Sequence, residues 1–234
     1  VLDLQYPYTA PVLKSRCFSS SKAITTELGK IMVEEYINQG IIPCIKHLPG
    51  HGRVQTDPHL TTPKITASLK DLTQDFYPFQ KLAPFTPFGM SAHIIIEQID
   101  PQHPLTQSSE GIQKIIRDLI GFNGFLISDS ITMNALHGSL IERAQATLSA
   151  GCDAYCYCDG ELSDLKILAS FPQELSPQTQ HRLDEAKRIL QNTPQFSANY
   201  QDYQSLIGQI EAYKDTYDST TVLERMKQLS KNEQ

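Results

Sequence analysis

The chain has 234 residues, 40% hydrophobic content and a formal net charge of -6. This length can bury a core in one or two domains, and the composition predicts a globular, soluble protein. The negative charge argues against nucleic acid or an anionic membrane surface as a partner. No run approaches the ~20 apolar residues that a membrane span needs, and the first residues do not have the pattern of a secretion signal.

Apolar runs that end in polar or ionisable residues recur along the chain, which is typical of buried parallel strands. The five runs are Val1-Leu2 before Asp3, Ile41 to Ile45 before Lys46-His47, Phe88 to Ala92 before His93, Phe125 to Ile127 before Ser128-Asp129, and Ala154 to Cys158 before Asp159. Reactive groups gather at the carboxyl ends of such strands.

Segments with helical spacing separate these runs. The inward face predicted for AITTELGKIMVEEYINQG comprises Ile24, Leu28, Ile31, Met32 and Glu35. Gly40 is predicted to end this helix. A later helix, SPQTQHRLDEAKRIL, is predicted to begin with Ser176 as N-cap and Pro177 at its first position. GIQKIIRDLIGF and LIERAQATLSAG repeat the pattern. The alternation predicts an α/β fold with a parallel sheet, either doubly wound or a β/α barrel.

The stretch KHLPGHGRVQTDPH, Lys46 to His59, predicts a polar loop after a strand, since its glycines and prolines suit neither helix nor strand. Pro58 favours extended backbone at Asp57, so Asp57 and His59 face the same way. A carboxylate beside an imidazole forms a general acid/base pair. A solvated surface turn and a metal site of His47, His51, Asp57 and His59 are the alternatives.

Several ordered motifs resemble one family. KHLPGHG followed by D-P-H resembles the KHFPGHG...D-S-H signature of the bacterial β-N-acetylglucosaminidases of glycoside hydrolase family 3. SLKDLTQDFYPFQKL, GMSAHI and GFNGFLISDSITMNAL resemble further family motifs, and AGCDAYCYCDG and RLDEAKRIL follow in the family's order. The resemblance covers Val1 to about Leu190.

The resemblance implies an α/β (β/α)8 TIM-type barrel, of which this chain carries about the last five β/α units. Residues 1–194 are then the C-terminal portion of the barrel, and residues 195–234 a helical extension that packs on it. VLD resembles the family's fourth strand, and the early D-Q-E-G-G segment has no counterpart. We expect on the order of 100 further residues upstream of Val1.

The resemblance also assigns roles to individual residues. Asp129 is the nucleophile of a retaining mechanism, and His59 is the acid/base with Asp57 as its partner. The implied sugar ligands are Arg16, Lys46 and His47. From the residues alone, Asp129 could instead be a helix N-cap for ITMNALHG.

Other polar residues near the strand ends receive lesser roles. We expect His93 to support the site from behind and Asp3 to support it from below. Cys152, Cys156 and Cys158 are predicted to pack within their strand and not to bind metal. Pro58 stands where the family has serine or threonine, and it could stiffen the loop of His59.

The function implied is a retaining exo-β-N-acetylglucosaminidase that removes terminal β-linked GlcNAc from peptidoglycan fragments in cell-wall recycling. The substrate would be a GlcNAc-containing saccharide or muropeptide, and neither a metal nor an organic cofactor is expected. Cysteine usage predicts a cytoplasmic location, and the protein is expected to be a monomer once the N-terminal units are present. The alternatives are a phosphorylase that uses the same residues, a metal-dependent hydrolase, and an inactive carbohydrate-binding or structural chain.

Overall fold

The structure is a computed structural model that describes residues 1–56, 61–171, 173–191, 201 and 203–209. The helices are α1 (Pro11–Lys14), α2 (Lys22–Asn38), α3 (Leu69–Leu82), α4 (Ser109–Gly111, continuing with π-helical hydrogen bonds over Ile112–Leu119), α5 (Leu140–Ala150), α6 (Leu162–Ala169) and α7 (Pro177–Gln191). The strands are β1 (Cys44–Leu48), β2 (Lys64–Ile65), β3 (Phe88–Ser91), β4 (Ile95–Ile96), β5 (Phe125–Ser130) and β6 (Ala154–Cys156). Short 3₁₀ turns lie at Ala83–Phe85 and Leu105–Gln107.

Four strands form one parallel sheet in the order β1-β3-β5-β6, and β2 pairs with β4 in a separate parallel pair. The four strands thus neighbour one another in chain order. A doubly wound sheet reverses its strand order at a switch point, whereas consecutive units of a β/α barrel do not. The predicted α/β class with a parallel sheet is confirmed, and its strand order is that of a barrel.

The first predicted strand, Val1-Leu2 before Asp3, is not part of the sheet. It lies beside β1 and makes one backbone hydrogen bond to it, from Leu2 N–H to the carbonyl oxygen of Lys46 at 2.7 Å. The chain then turns away, and the N–H of Gln5 donates to the carbonyl oxygen of Ser19. Four of the five predicted strands are therefore strands of the described sheet.

The predicted inward face of α2 is wrong except at Ile24. Leu28, Ile31 and Met32 are 37%, 46% and 41% exposed, whereas the buried residues of the helix are Ile24, Thr25, Gly29 and Val33. A Cβ on Gly29 would lie 2.5 Å from Cδ2 of Leu2. Gly29 therefore lets the helix approach the first segment closely, whereas Leu28, Ile31 and Met32 point outwards.

The main core lies between the sheet and helices α2 to α4. Its largest fully buried side chains include Leu48, Leu72, Phe76, Phe79, Ile115, Ile116, Phe122 and Leu126. A smaller cluster around Ile131, Leu136, Ala144 and Leu168 joins the loop after β5 to α5 and α6. Apolar packing thus holds β1, β3, β5 and β6 at fixed positions, which fixes where their carboxyl ends meet.

The C-terminal part begins as predicted, because the Ser176 hydroxyl accepts a hydrogen bond from the N–H of Thr179 in α7. Residues 203–209 are helical and exposed. Most of the predicted extension over residues 195–234 lies outside the described residues, so its packing on the barrel stays a prediction. Among the helices that the structure describes, none combines the length and apolarity needed to cross a bilayer.

Candidate active site

The carboxyl ends of β1 and β5 bring His47 and Asp129 together. Nε2 of His47 lies 3.9 Å from Oδ2 of Asp129. The peptide bonds Lys46-His47 and Leu48-Pro49 are both cis. Two residues that sequence motifs singled out 82 positions apart therefore share one end of the sheet.

Asp3 anchors the histidine side of this site. It is fully buried, and its Oδ2 lies 2.7 Å from Nδ1 of His47. The backbone N–H groups of His47 and His51 also donate to its carboxylate, the latter at 2.6 Å. Burial alone would raise the pKa of Asp3, but the charge and hydrogen bond of His47 and the contact with His51 lower it to about 2.

The ionised Asp3 has a direct consequence for His47. Because its partner is a carboxylate, Nδ1 of His47 carries a proton and donates it to Asp3. In the neutral imidazole, Nε2 then presents a lone pair to the site. Sequence reasoning gave Asp3 only a supporting role, and its distance of 44 positions from His47 hid this contact.

Asp129 is held by its own strand. Its side chain is 24% exposed, and its Oδ1 accepts a hydrogen bond from the N–H of Ser130 at 2.8 Å. Residues 131–138 form turns and no helix, so the alternative role as an N-cap for ITMNALHG is wrong. One carboxylate oxygen is thus fixed, and the other faces His47.

Two further histidines lie buried behind the site. Burial lowers the pKa of His51 to about 4, and Nδ1 of His51 has no hydrogen-bond partner among the described residues. Burial also lowers the pKa of His93, whose Nε2 lies 2.9 Å from the carbonyl oxygen of Ser130. A neutral His93 therefore donates to the backbone next to Asp129, in line with the predicted supporting position.

The other two predicted sugar ligands, Lys46 and Arg16, have no described side-chain contact with Asp129 or His47. Lys46 is half-buried in β1, and its charge acts on the thiol of Cys156 at the end of β6. Arg16 is exposed after α1, and its charge acts on the thiol of Cys17. Asp57 and His59 lie outside the described residues, so the predicted acid/base pair stays a prediction.

A network that sequence reasoning missed holds the loop after β1. Arg53 donates from Nε to Asp75 at 2.7 Å, and the hydroxyl of Tyr6 donates to the same buried carboxylate at 3.0 Å. The guanidinium of Arg53 also lies 4.7 Å from the centre of the Tyr6 ring. The available signal was Asp75 itself, a charged residue on the apolar face of SLKDLTQDFYPFQKL.

This network also fixes the turn between the histidines. Gly50 has a φ of 131°, which only glycine adopts easily, and a Cβ there would lie 3.0 Å from Cβ of Asp75. The loop thus packs against α3 through a glycine, close to the ion pair. The contacts with α3 therefore hold this loop in place before the chain reaches Asp57.

The three cysteines in and around β6 differ from the prediction that they pack within the strand, since only Cys156 belongs to it. Cys152 is buried, but Cys156 is half-buried and Cys158 is exposed, with their Sγ atoms 3.5 Å apart. Core packing therefore accounts for Cys152 alone, which lies just before the strand. No three histidine, cysteine or acidic side chains converge in a metal-binding arrangement within the described residues. Two ligands of the alternative metal site, Asp57 and His59, lie outside them.

Known proteins are similar to this chain in sequence and in fold. The beta-hexosaminidase of Tolumonas auensis is 35% identical over 173 residues, which cover 72% of this chain and 51% of the relative. The beta-hexosaminidase of Bordetella avium is 36% identical over 163 residues, which cover 68% of this chain and 46% of the relative. The chain thus spans about half the length of these curated relatives.

The crystal structure of NagZ from Neisseria gonorrhoeae in complex with N-trifluoroacetyl-D-glucosamine superposes with a TM-score of 0.71 at 27% identity. That match covers 88% of this chain and 57% of NagZ. A model of the glycosyl hydrolase family 3 N-terminal domain matches residues 1–192. The resemblance drawn from the motifs is confirmed, and the chain belongs to the glycosyl hydrolase family 3 N-terminal domain family.

Proposed function

We propose that this chain carries the nucleophile and sugar-binding residues of a retaining exo-β-N-acetylglucosaminidase that hydrolyses terminal β-linked GlcNAc. The observation that carries the proposal is the Asp3–His47–Asp129 arrangement at the carboxyl ends of the strands. Relatives named beta-hexosaminidase support the sugar class.

In this proposal the free oxygen of Asp129 attacks the anomeric carbon and forms a covalent glycosyl-enzyme. The N–H of Ser130 fixes Oδ1, so that Oδ2 is directed towards the sugar. Nε2 of His47 accepts a hydrogen bond from a sugar hydroxyl, because Asp3 keeps the proton on Nδ1. Lys46 and Arg16 add donors that orient the ring.

Proton transfer is assigned to His59, with Asp57 as its partner. This assignment comes from the D-P-H of this chain, which resembles the family's D-S-H motif, where an imidazole takes the place of the second carboxylic acid that most glycosidases use. The imidazole would protonate the leaving oxygen and then activate the water that releases GlcNAc.

The biological setting belongs to the same proposal. Terminal GlcNAc on peptidoglycan fragments or muropeptides fits an exo-acting enzyme of cell-wall recycling. The odd number of cysteines, five, and their spacing, which suits packing better than a disulfide framework, support a reducing compartment such as the cytoplasm. A monomer is proposed for the whole protein.

The test is turnover of p-nitrophenyl β-GlcNAc by the protein and by its Asp129→Ala and His59→Ala variants. We expect each variant to lose activity by at least about a hundredfold, and NMR of the first-formed sugar to show retention of the β configuration. Azide should restore turnover in Asp129→Ala and give the α-glycosyl azide. Wild-type rates in both variants would refute the assignment.

The rival functions give different products. A phosphorylase would release GlcNAc 1-phosphate when phosphate is supplied, and a metal-dependent hydrolase would lose activity with EDTA. A chain that binds GlcNAc without cleaving the chromogenic substrate would be a binding protein.

A further inference from the structure

Cys156 and Cys158 form a close thiol pair outside the catalytic assignment. They are two positions apart, and their Sγ atoms lie 3.5 Å from each other. In extended chain, residues at this spacing have Cα atoms about 6.6 Å apart, within the roughly 4.4–6.8 Å that a disulfide spans. Rotation of the two side chains can therefore bring the sulfur atoms into bonding distance.

The pair lies at the wall of the Asp129 site. Cys156 ends β6 and stands in register with Ser130, the neighbour of Asp129. Its N–H donates to the Ser128 hydroxyl at 3.1 Å, and the charges of Asp129 and Lys46 act on its thiol. A change in the position or oxidation state of Cys156 would therefore alter the surroundings of Asp129.

The two thiols differ in access. Cys158 is exposed, whereas Cys156 is half-buried. Burial and the neighbouring Cys158 thiol raise the pKa of Cys156 to about 11, so very little of Cys156 is thiolate at neutral pH. An oxidant from solvent meets Cys158 first, and Cys156 is positioned to resolve the product.

We propose that Cys156 and Cys158 are a dithiol that a peroxide converts reversibly into an intramolecular disulfide beside Asp129. The sulfur of Cys158, as thiolate, attacks one peroxide oxygen, which breaks the O–O bond and leaves a sulfenic acid and one water after protonation. The sulfur of Cys156 then attacks the sulfenic sulfur, forms the S–S bond and releases a second water. The two sulfurs lose two electrons in total, and a dithiol such as dithiothreitol returns them.

The test is mass spectrometry of the chain after hydrogen peroxide treatment and alkylation with iodoacetamide. We expect the peptide that contains Cys152, Cys156 and Cys158 to lose two hydrogens and to carry one label, on Cys152. Dithiothreitol before alkylation should restore three labels. A bridge to Cys152, or stepwise oxygen addition without a bridge, would overturn the proposal.

Two variants make the test specific. Cys158→Ser should abolish the loss of two hydrogens, and because Cys158 is exposed the variant should fold. Cys17→Ser is the matched control, since Cys17 donates to the carbonyl oxygen of Leu13 and lies outside the pair; it should behave as the parent does. The same bridge in Cys158→Ser would contradict the assignment.

A second arm rests on the proposed function. If GlcNAc occupies the Asp129 site, it should slow bridge formation at least severalfold, and the bridge should lower turnover of the chromogenic substrate. The mass measurement without sugar does not depend on hexosaminidase activity. A chain that forms the bridge but cleaves no substrate would therefore refute the proposed function and support the dithiol.

Discussion

Nδ1 of His47 lies 2.7 Å from Oδ2 of Asp3, and the two residues are 44 positions apart in the chain. This contact decides which nitrogen of His47 carries the proton and therefore whether Nε2 faces Asp129 as a donor or as an acceptor. An anionic acceptor at Asp3 makes Nε2 an acceptor in the neutral ring.

Asp3→Asn should reverse this arrangement. An amide can donate to Nδ1, which moves the proton to Nε2 and turns Nε2 into a donor towards Asp129. We expect kcat for p-nitrophenyl β-GlcNAc to fall on the order of a hundredfold, with folding retained by circular dichroism. Asp100→Asn is the control, because Asp100 also contacts a histidine, His103, but in an exposed turn. Equal effects of the two substitutions would contradict the role of Asp3.

The buried His51 should make stability depend on pH. Its pKa is about 4 in the folded chain and 6.5 for an ordinary histidine, so the unfolded chain binds more protons between these values. Stability is therefore fully present above pH 6.5 and falls as the pH drops towards 4, by on the order of 3 kcal/mol. Urea titrations at several pH values measure this loss.

His51→Gln should flatten the stability profile between pH 6.5 and 4. The control His103→Gln should leave it unchanged, since the His103 side chain is 60% exposed. The low pKa of Asp3 acts in the same direction but in a separate window, from 3.8 down to about 2. Because burial also lowers the pKa of His93, a smaller loss should remain in His51→Gln; an undiminished loss between pH 6.5 and 4 would show that His51 is not its cause.

The ion pair of Arg53 and Asp75 should be costly to break from one side. Arg53→Met leaves a buried carboxylate without its cation, and we expect a loss of about 3 kcal/mol in the free energy of unfolding. The double variant Arg53→Met/Asp75→Leu should recover much of that loss, because no charge is then stranded. A double variant as unstable as the sum of the singles would contradict this explanation.

An exposed pair provides the comparison for that experiment. Lys114 and Glu110 are i, i+4 partners with side chains 58% and 50% exposed. Lys114→Met should change stability by less than about 1 kcal/mol. A similar cost at both sites would mean that burial of Asp75 is not the cause.

Gly29 should not tolerate a side chain. Its Cβ would lie 2.5 Å from Leu2 and 2.9 Å from Leu82, so Gly29→Ala should destabilise the chain by about 1–3 kcal/mol. Gly208→Ala has open space around its Cβ, and in a helix it should be neutral or stabilising. Thermal unfolding of both variants measures the difference; a neutral Gly29→Ala would show that α2 can move outward freely.

Sequence patterns predicted the parallel α/β class because apolar runs and polar terminators follow from burial of each strand. They failed at α2, where counting apolar residues chose the wrong face: contact with Leu2 needs a small residue at Gly29, and no periodicity encodes that need. The family resemblance identified His47 and Asp129 as site residues. In the structure, Nε2 of His47 lies 3.9 Å from Oδ2 of Asp129.

The parts of the site that were missed depend on contacts across long stretches of chain. Asp3 reaches His47 and His51, and Asp75 reaches Tyr6 and Arg53. Each carboxylate looks like an ordinary strand-end or helix residue when read locally. Its partners become visible only when the sheet brings the segments together.

The segment from Val1 to Gln5 holds its place with few backbone bonds, through Leu2 to β1 and Gln5 to Ser19. Yet it delivers the carboxylate that sets the proton on His47. Local opening of this segment would leave Asp129 in place but remove the carboxylate from His47, so amide exchange at Leu2 should report on the Asp3–His47 contact better than exchange anywhere in β5.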